Sequence, residues 1–183
     1  MDLVLLAVGD VAPTAVWAAI DGGETYDLDW LNCPENLMAT YTFGGGIRAF
    51  FESTRKALGS ADFPSCNPRC NIDIWATKGR IWWRENGSWG YLLNNTEPQF
   101  VQPTNFGQDD ILAQRRFTQA IATWLQDDSR PHHCRYSIAK LGFNAIMAAY
   151  RSALKGQRLD TNSQLADDEW EELRKRLIQP QRV

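Results

Sequence analysis

Gly44, Gly46 and Ala49, in the stretch TYTFGGGIRAFFEST (residues 40–54), satisfy the spacing G-x-G-x-x-A of a turn that cradles a pyrophosphate. Such a turn works because a strand delivers glycines to the start of a helix, whose exposed N–H groups and dipole hold the anion. NLMATYTF upstream is an acceptable strand. Downstream, IRAFFESTRKAL admits two periods. Ile47, Phe50, Phe51 and Thr54 share one face of a helix, whereas Ile47, Ala49 and Phe51 alternate with Arg48, Phe50 and Glu52 along a strand. Wider context favours the strand, and with it a hairpin corner. The segment lies in a run of antiparallel-type strands, no strand–helix alternation surrounds it, and a dinucleotide fold needs several further units of that kind.

Other residues have ligand or nucleophile character. Cys66 and Cys70, with His132, His133 and Cys134, offer enough sulfur and imidazole for a tetrahedral zinc site. Three residues between the first two cysteines is not the usual spacing, and the two clusters are far apart in sequence, so free thiols on surface loops are the expected state. Apart from zinc, His132 and His133 read as solvated loop residues. Cys33 or Cys134 as a nucleophile would need a base and an orienting group, and nothing specifies them. Asp27 with Asp29 reads as a loop before a strand, and Asp109 with Asp110 as a helix start, so neither pair needs an acid–base role. No catalytic, cofactor-binding or metal residue is assigned in this chain.

The elements that would position these groups must come from 183 residues, enough for one ordinary domain with a real core and short for two. A single domain over 1–183 is expected. The net charge of −3, with no Lys/Arg cluster beyond Arg174-Lys175-Arg176 at a helix C-terminus, argues against a nucleic-acid surface. No stretch approaches the ~18 apolar residues of a membrane span. MDLVLLAVGD carries acids at Asp2 and Asp10 and no basic lead, unlike a signal peptide. The cytoplasm is the expected compartment, with no nucleic acid and no membrane as partner. DLVLLAVGDVAP starts as an apolar helix with no N-cap, which reads as the tail of something longer.

Residues 14–93 read as short strands: TAVWAAI, NLMATYTF, IRAFFE, NIDIWAT, GRIWWRE and SWGYLL, separated by Gly, Pro, Asn and Asp. Ile72, Ile74 and Ala76 alternate with Asn71, Asp73 and Trp75; after a Lys78-Gly79 turn, Ile81 and Trp83 alternate with Arg80 and Trp82. Asn86-Gly87 is a hairpin signal leading to the next strand. Helical periods take over from about 109 to 178. One stripe runs through Ile111, Leu112, Phe117, Ala120, Ile121, Trp124 and Leu125. A second helix, Ser137 to Lys155, turns Ile138, Leu141, Ala145, Ala149 and Ala153 inward and stops at Gly156. A third, DDEWEELRKRL, places acids first and bases last. Strands succeeded by helices give the α+β class, an open, mostly antiparallel sheet with helices over one face.

MATYTFGGGIRAFFES (38–53) resembles the hairpin y-x-f-x-x-G-g-x-x-a-x-x-e in the C-terminal domain of the Gfo/Idh/MocA family, the relatives of glucose-fructose oxidoreductase and inositol dehydrogenase. NIDIWATKGRIWW (71–83) is similar to that domain's v-x-G-T-x-G-x-l strand pair. FTQAIATWLQDDSRPHH (117–133) and ALKGQRL (153–159) look like its closing helix, its proline-histidine loop and its last helix end, and the likeness of that loop implies His133 as a candidate for the substrate pocket. Together they cover nearly the whole chain in the family's order. The resemblance implies an open sheet that helps close the substrate site of an NAD(P)-dependent sugar or polyol oxidoreductase, with the exposed face commonly forming a dimer interface.

The same resemblance implies that the nucleotide-binding half and the proton-handling residues lie outside this chain. None of Lys56, Lys78, Lys140, Lys155 or Lys175 stands in the family's E-K-P triplet, and Asp2 matches at most the last position of its G-G-G-x-x-x-D-x-G-x-H-x-x-D stretch. NAD or NADP is therefore expected only with a Rossmann partner. The expected role is a substrate-side and oligomerisation domain without activity alone; the alternatives are one subunit of a split dehydrogenase or a stand-alone carbohydrate-binding or scaffolding protein. Trp75 and Trp82 share the face opposite Ile74 and Trp83, and with Trp89 and Tyr91 they carry the strongest functional signal. A second sheet would bury them in a homodimer, or a sugar ring would stack on them.

Overall fold

Alternation of apolar and polar residues builds the strands, and a face of small residues brings a helix close to them. In chain order the elements are α1 (Asp2–Ala7), β1 (Ala15–Ile20), β2 (Asn36–Thr42), β3 (Arg48–Thr54), β4 (Asn71–Ala76), β5 (Gly79–Arg84), β6 (Trp89–Leu93), β7 (Gln99–Val101), α2 (Phe106–Gln126), α3 (Tyr136–Lys155), β8 (Leu159–Asp160) and α4 (Asp167–Ile178). The structure is a computed structural model that describes residues 1–20, 36–54, 71–84, 89–101, 106–130, 132–162 and 165–178. The α+β class holds. Its strands form two antiparallel four-stranded sheets, ordered β3-β2-β1-β8 and β4-β5-β6-β7, and the chain divides into two compact units, Met1–Ala57 with His133–Val183, and Leu58–His132.

In the first unit, Val16 lies opposite Tyr41 and Tyr41 opposite Ala49, while Ala18 lies opposite Ala39 and Ala39 opposite Phe51. That face is the core. α3 lays Ile138, Ala145, Ala148 and Ala149 on it, and α1 adds Leu5. Small side chains let the helix come near enough for polar bonds to reach across. The Tyr41 hydroxyl donates to the main-chain carbonyl of Ala145 at 3.1 Å, and burial, aided by Tyr150, raises its pKa above the ordinary range. Ser152, fully buried, accepts the N–H of Ala18 at 3.0 Å and donates to the carbonyl of Gln157 at 2.6 Å. β8 pairs only with Ala15 and Val16, so the Ser152 hydroxyl takes the next N–H of the β1 edge. Gly156, at φ +63, closes α3 in the left-handed conformation that favours glycine.

The glycine run resolves as a hairpin corner. Gly44–Gly46 form one 3-10 turn between β2 and β3, with Gly45 at φ +69 and Gly46 at φ +79, and the Phe43 N–H donates to the Ile47 carbonyl at 2.9 Å. Beyond the corner the chain runs on as strand β3, not as a helix.

α4 is pinned to α3 by one carboxylate. Glu169 receives the Lys155 ammonium at 2.6 Å, the Arg151 guanidinium at 2.9 Å and the Ala166 N–H at 3.0 Å. The last contact is half of a capping box, the third helical residue reaching back to the N-cap. In the second unit, a Thr77-Lys78 turn joins β4 to β5, held by Asn94, whose side chain donates to the Thr77 carbonyl at 2.8 Å. Ile111, Leu112, Phe117 and Leu125 of α2 are exposed, so much of the stripe read from sequence faces outward. Asn86 and Gly87 lie outside the described residues.

Two substitutions probe the stability of these contacts. Ser152→Ala leaves the Ala18 N–H and Gln157 carbonyl without their side-chain partner, and urea unfolding is expected to report a loss of about 1–3 kcal/mol; an unchanged midpoint would contradict the buried bridge. The Lys155 contact foremost, then the Ala166 N–H and Arg151, lower the Glu169 pKa from 4.5 to about 2. Because the folded value is the lower one, the contribution is complete above the unfolded value and disappears as pH falls through the folded one. Glu169→Gln is therefore expected to be less stable at neutral pH by on the order of 1 kcal/mol, with the difference from wild type vanishing in acid.

Candidate functional site

Strand register decides which aromatics share a surface. In β4 and β5, Asp73 lies opposite Trp82 and Trp75 opposite Arg80; in β6 and β7, Gly90 lies opposite Trp82 and Phe100 opposite Gly90. One face therefore carries Trp75, Trp82, Arg80, Asp73 and Phe100. The other carries Ile72, Ile74, Ile81, Trp83, Trp89 and Tyr91. Trp75 and Trp82 stand together as anticipated, while Trp89 and Tyr91 stand on the opposite side with Trp83.

The Trp75–Trp82 face is an organised surface. Arg80 lies 5.1 Å from the Trp75 ring centroid and 5.5 Å from that of Trp82, and its guanidinium reaches Asp73 at 2.5 Å. The cation fills the space between the rings while the carboxylate fixes its orientation. Phe100 meets Trp82 edge to face at 5.5 Å. Gly90 makes the arrangement possible: a Cβ there would stand 2.4 Å from the Trp82 ring and 2.6 Å from the Gln99 carbonyl oxygen. Trp75 and Phe100 are 69% and 72% exposed, so the row is open at both ends.

Sequence reasoning missed a second aromatic surface. On the outer side of the first sheet, Trp17 lies opposite Thr40 and Thr40 opposite Phe50, with Met38 one pair along. Trp17, Met38 and Phe50 are all exposed, Phe50 at 81%. The signal was present in the alternation of these residues with Val16, Leu37, Ala39 and Phe51.

His133 belongs to the first unit, ahead of α3. Its Nδ1 donates to the Asp10 carboxylate at 3.0 Å, with the Arg135 guanidinium 3.8 Å from the same oxygen. His132 is placed differently, edge-on to Phe117 at 4.9 Å and stacked with Trp124 at 6.3 Å. Cys134 is exposed. Cys33, Cys66, Cys70, Asp27 and Asp29 lie outside the described residues, and Asp109 and Asp110 fall within α2. Among the described residues, no three His, Cys, Asp or Glu side chains are grouped to hold a metal ion. The Gly44–Gly46 turn does not fit a pyrophosphate: it delivers the chain to β3, so no helix N-terminus stands behind the glycines. No helix among the described residues is long and apolar enough to cross a membrane.

Solved structures share this architecture. An oxidoreductase from Agrobacterium radiobacter, in complex with NAD+, L-tartaric acid and magnesium, matches at a TM-score of 0.62 and 18% identity, over 88% of this chain and 46% of that one. The chain shares the fold of part of that protein. Levoglucosan dehydrogenase, in complex with NADH and levoglucosan, matches equally at 0.62 and 18%, over 88% of this chain and 48% of its own. Aldose-aldose oxidoreductase from Caulobacter crescentus, complexed with glycerol, matches at 0.51 and 16%, over 87% and 44%. The chain thus spans about half the length of the solved structures it resembles. No protein-family model and no curated protein matches the sequence.

Gly90→Ala tests whether the aromatic face is built as described. The added methyl meets a main-chain carbonyl and an indole ring, and an overpacking cost of about 1–3 kcal/mol is expected in urea unfolding, together with altered tryptophan fluorescence. Wild-type stability and spectrum would show that Trp82 does not lie across Gly90.

Proposed function

We propose that this chain is the substrate-side and oligomerisation domain of a Gfo/Idh/MocA-like oxidoreductase acting on a sugar or polyol, with the nicotinamide cofactor held by a separate nucleotide-binding half. The observation that carries the reading is the asymmetry of overlap: 88% of this chain matches only 46% and 48% of two oxidoreductases. The names of levoglucosan dehydrogenase and aldose-aldose oxidoreductase support carbohydrate as the substrate class. The chain contributes a wall of the substrate site and a surface for assembly, and it has no catalytic activity alone.

The assembly surface is an open sheet face. Two such faces display large aromatics, Trp75 with Phe100, and Trp17 with Phe50, and contiguous exposed patches of this kind mark interaction surfaces. A second copy of the chain is the partner proposed, since a flat aromatic sheet is self-complementary across a two-fold axis.

Light scattering is expected to report a dimer at micromolar concentration and a monomer for Trp82→Glu. Trp75→Glu serves where the first variant unfolds, because Trp75 is the more exposed ring. The outer face of the first sheet is tested the same way by Phe50→Glu. A wild-type monomer, or a dimer that survives all three changes, would overturn the assembly role.

A further inference from the structure

A cleft of about 260 Å³ opens between α3 and the start of α4, wholly inside the first compact unit. Phe143 and Met147 on α3, Leu165 ahead of α4 and Trp170 in its first turns provide apolar walls, and Asn144 and Asn162 provide carboxamides. Thr161 also borders the cleft, but its buried hydroxyl is already donated to the Pro13 carbonyl. Among the described residues, no charged side chain lines the space. Glu169, beside Trp170, and Arg151, one turn past Met147, are paired with each other, and Lys155 joins them. An ionic ligand would find no counter-charge there.

The two carboxamides differ from the charges. Among the described residues, no protein group hydrogen-bonds the side chain of Asn144 or Asn162, and Asn144 is half-buried. Each carboxamide has two donor hydrogens and an acceptor oxygen, and a partly buried one without a protein partner turns that capacity toward whatever enters. Trp170 and Phe143 keep 37% and 60% of their surface open. The Glu169 contacts fix the first turn of α4, and so hold the indole wall in place before anything binds. The volume lies below the roughly 300 Å³ at which drug-sized pockets begin. It suits one small ring.

We propose that this cleft binds a neutral polyhydroxylated ring, a monosaccharide or cyclic polyol, with its C–H face against Trp170 and its hydroxyls bonded to Asn144 and Asn162. The site uses none of the exposed sheet aromatics, and it stands independently of the oxidoreductase reading.

The test is amide- and side-chain-resolved NMR of the full chain, titrated with methyl glucoside and myo-inositol, with gluconate and glucosamine as charged counterparts and cyclohexanol as a ring with one hydroxyl. Saturable shifts are expected at the Trp170 indole N–H and the Asn144 side-chain amide for both neutral polyols, with a Kd of about a millimolar. Binding is expected to weaken roughly tenfold in Asn144→Ala or Asn162→Ala and to vanish in Trp170→Ala, with resonances elsewhere unchanged. Asn162 is exposed on a turn, so its substitution keeps the test alive if the helix variants fail to fold. The proposal is overturned by unsaturable shifts for both neutral probes, by tighter binding of a charged sugar or of cyclohexanol, or by binding that all three substitutions leave intact. None of these readouts depends on oligomeric state or nicotinamide chemistry, so failure here is separable from failure of the proposed function.

Discussion

The structure depends on how closely α3 sits against the first sheet. Gly142, Ala145, Ala148, Ala149 and Ser152 are all buried along that helix, and side chains this small leave the backbone within reach of the strands. Only at that separation can the Tyr41 hydroxyl meet a helix carbonyl and the Ser152 hydroxyl continue the hydrogen-bond ladder of β1. The remaining helices of that unit hang from α3. α1 crosses at Gly142, where a Cβ would stand 2.8 Å from the Asp2 carboxylate, and α4 is tied through Glu169. Burial drives the packing, and the polar bonds fix its register.

Much of this was legible in the sequence because the periods were clean. Ile72 and Ile74 against Asp73 and Trp75 gave the faces of β4, the small residues of α3 gave its buried side, and Gly156 gave its end. The two-residue β8 has no period to read, and its place is set by a tertiary edge of β1 that no local pattern encodes. The division of the strands into two sheets depends on pairings that alternation cannot specify. Trp89 and Tyr91 were grouped with Trp75 and Trp82 by residue type, whereas register places them on the other face. Ile111, Leu112 and Leu125 follow a helical stripe as well as Ile138 does, yet they remain exposed. A stripe says which residues would be buried together, and says nothing of whether a partner is present.

The candidate surfaces share one physical character: aromatic area organised by neighbouring polar groups and left open. Asp73 and Arg80 hold Trp75 and Trp82 in place on the second sheet, and Glu169 does the same for the wall that carries Trp170. An organised ring is a better platform than a mobile one, since less freedom is lost when a partner or a sugar settles on it. The glycine turn belongs to the scaffold instead. Its positive φ angles serve the reversal between β2 and β3, and the chemistry of a dinucleotide cradle is absent from that geometry. This division of labour fits the proposal of a substrate-side domain that works beside a nucleotide-binding half.

Calorimetric titration of the purified chain with NADH tests that proposal most directly. The expected result is no saturable heat below millimolar cofactor. Micromolar uptake, with protection of the Gly44–Gly46 amides from hydrogen exchange, would show that this chain grips the dinucleotide itself and would contradict the account.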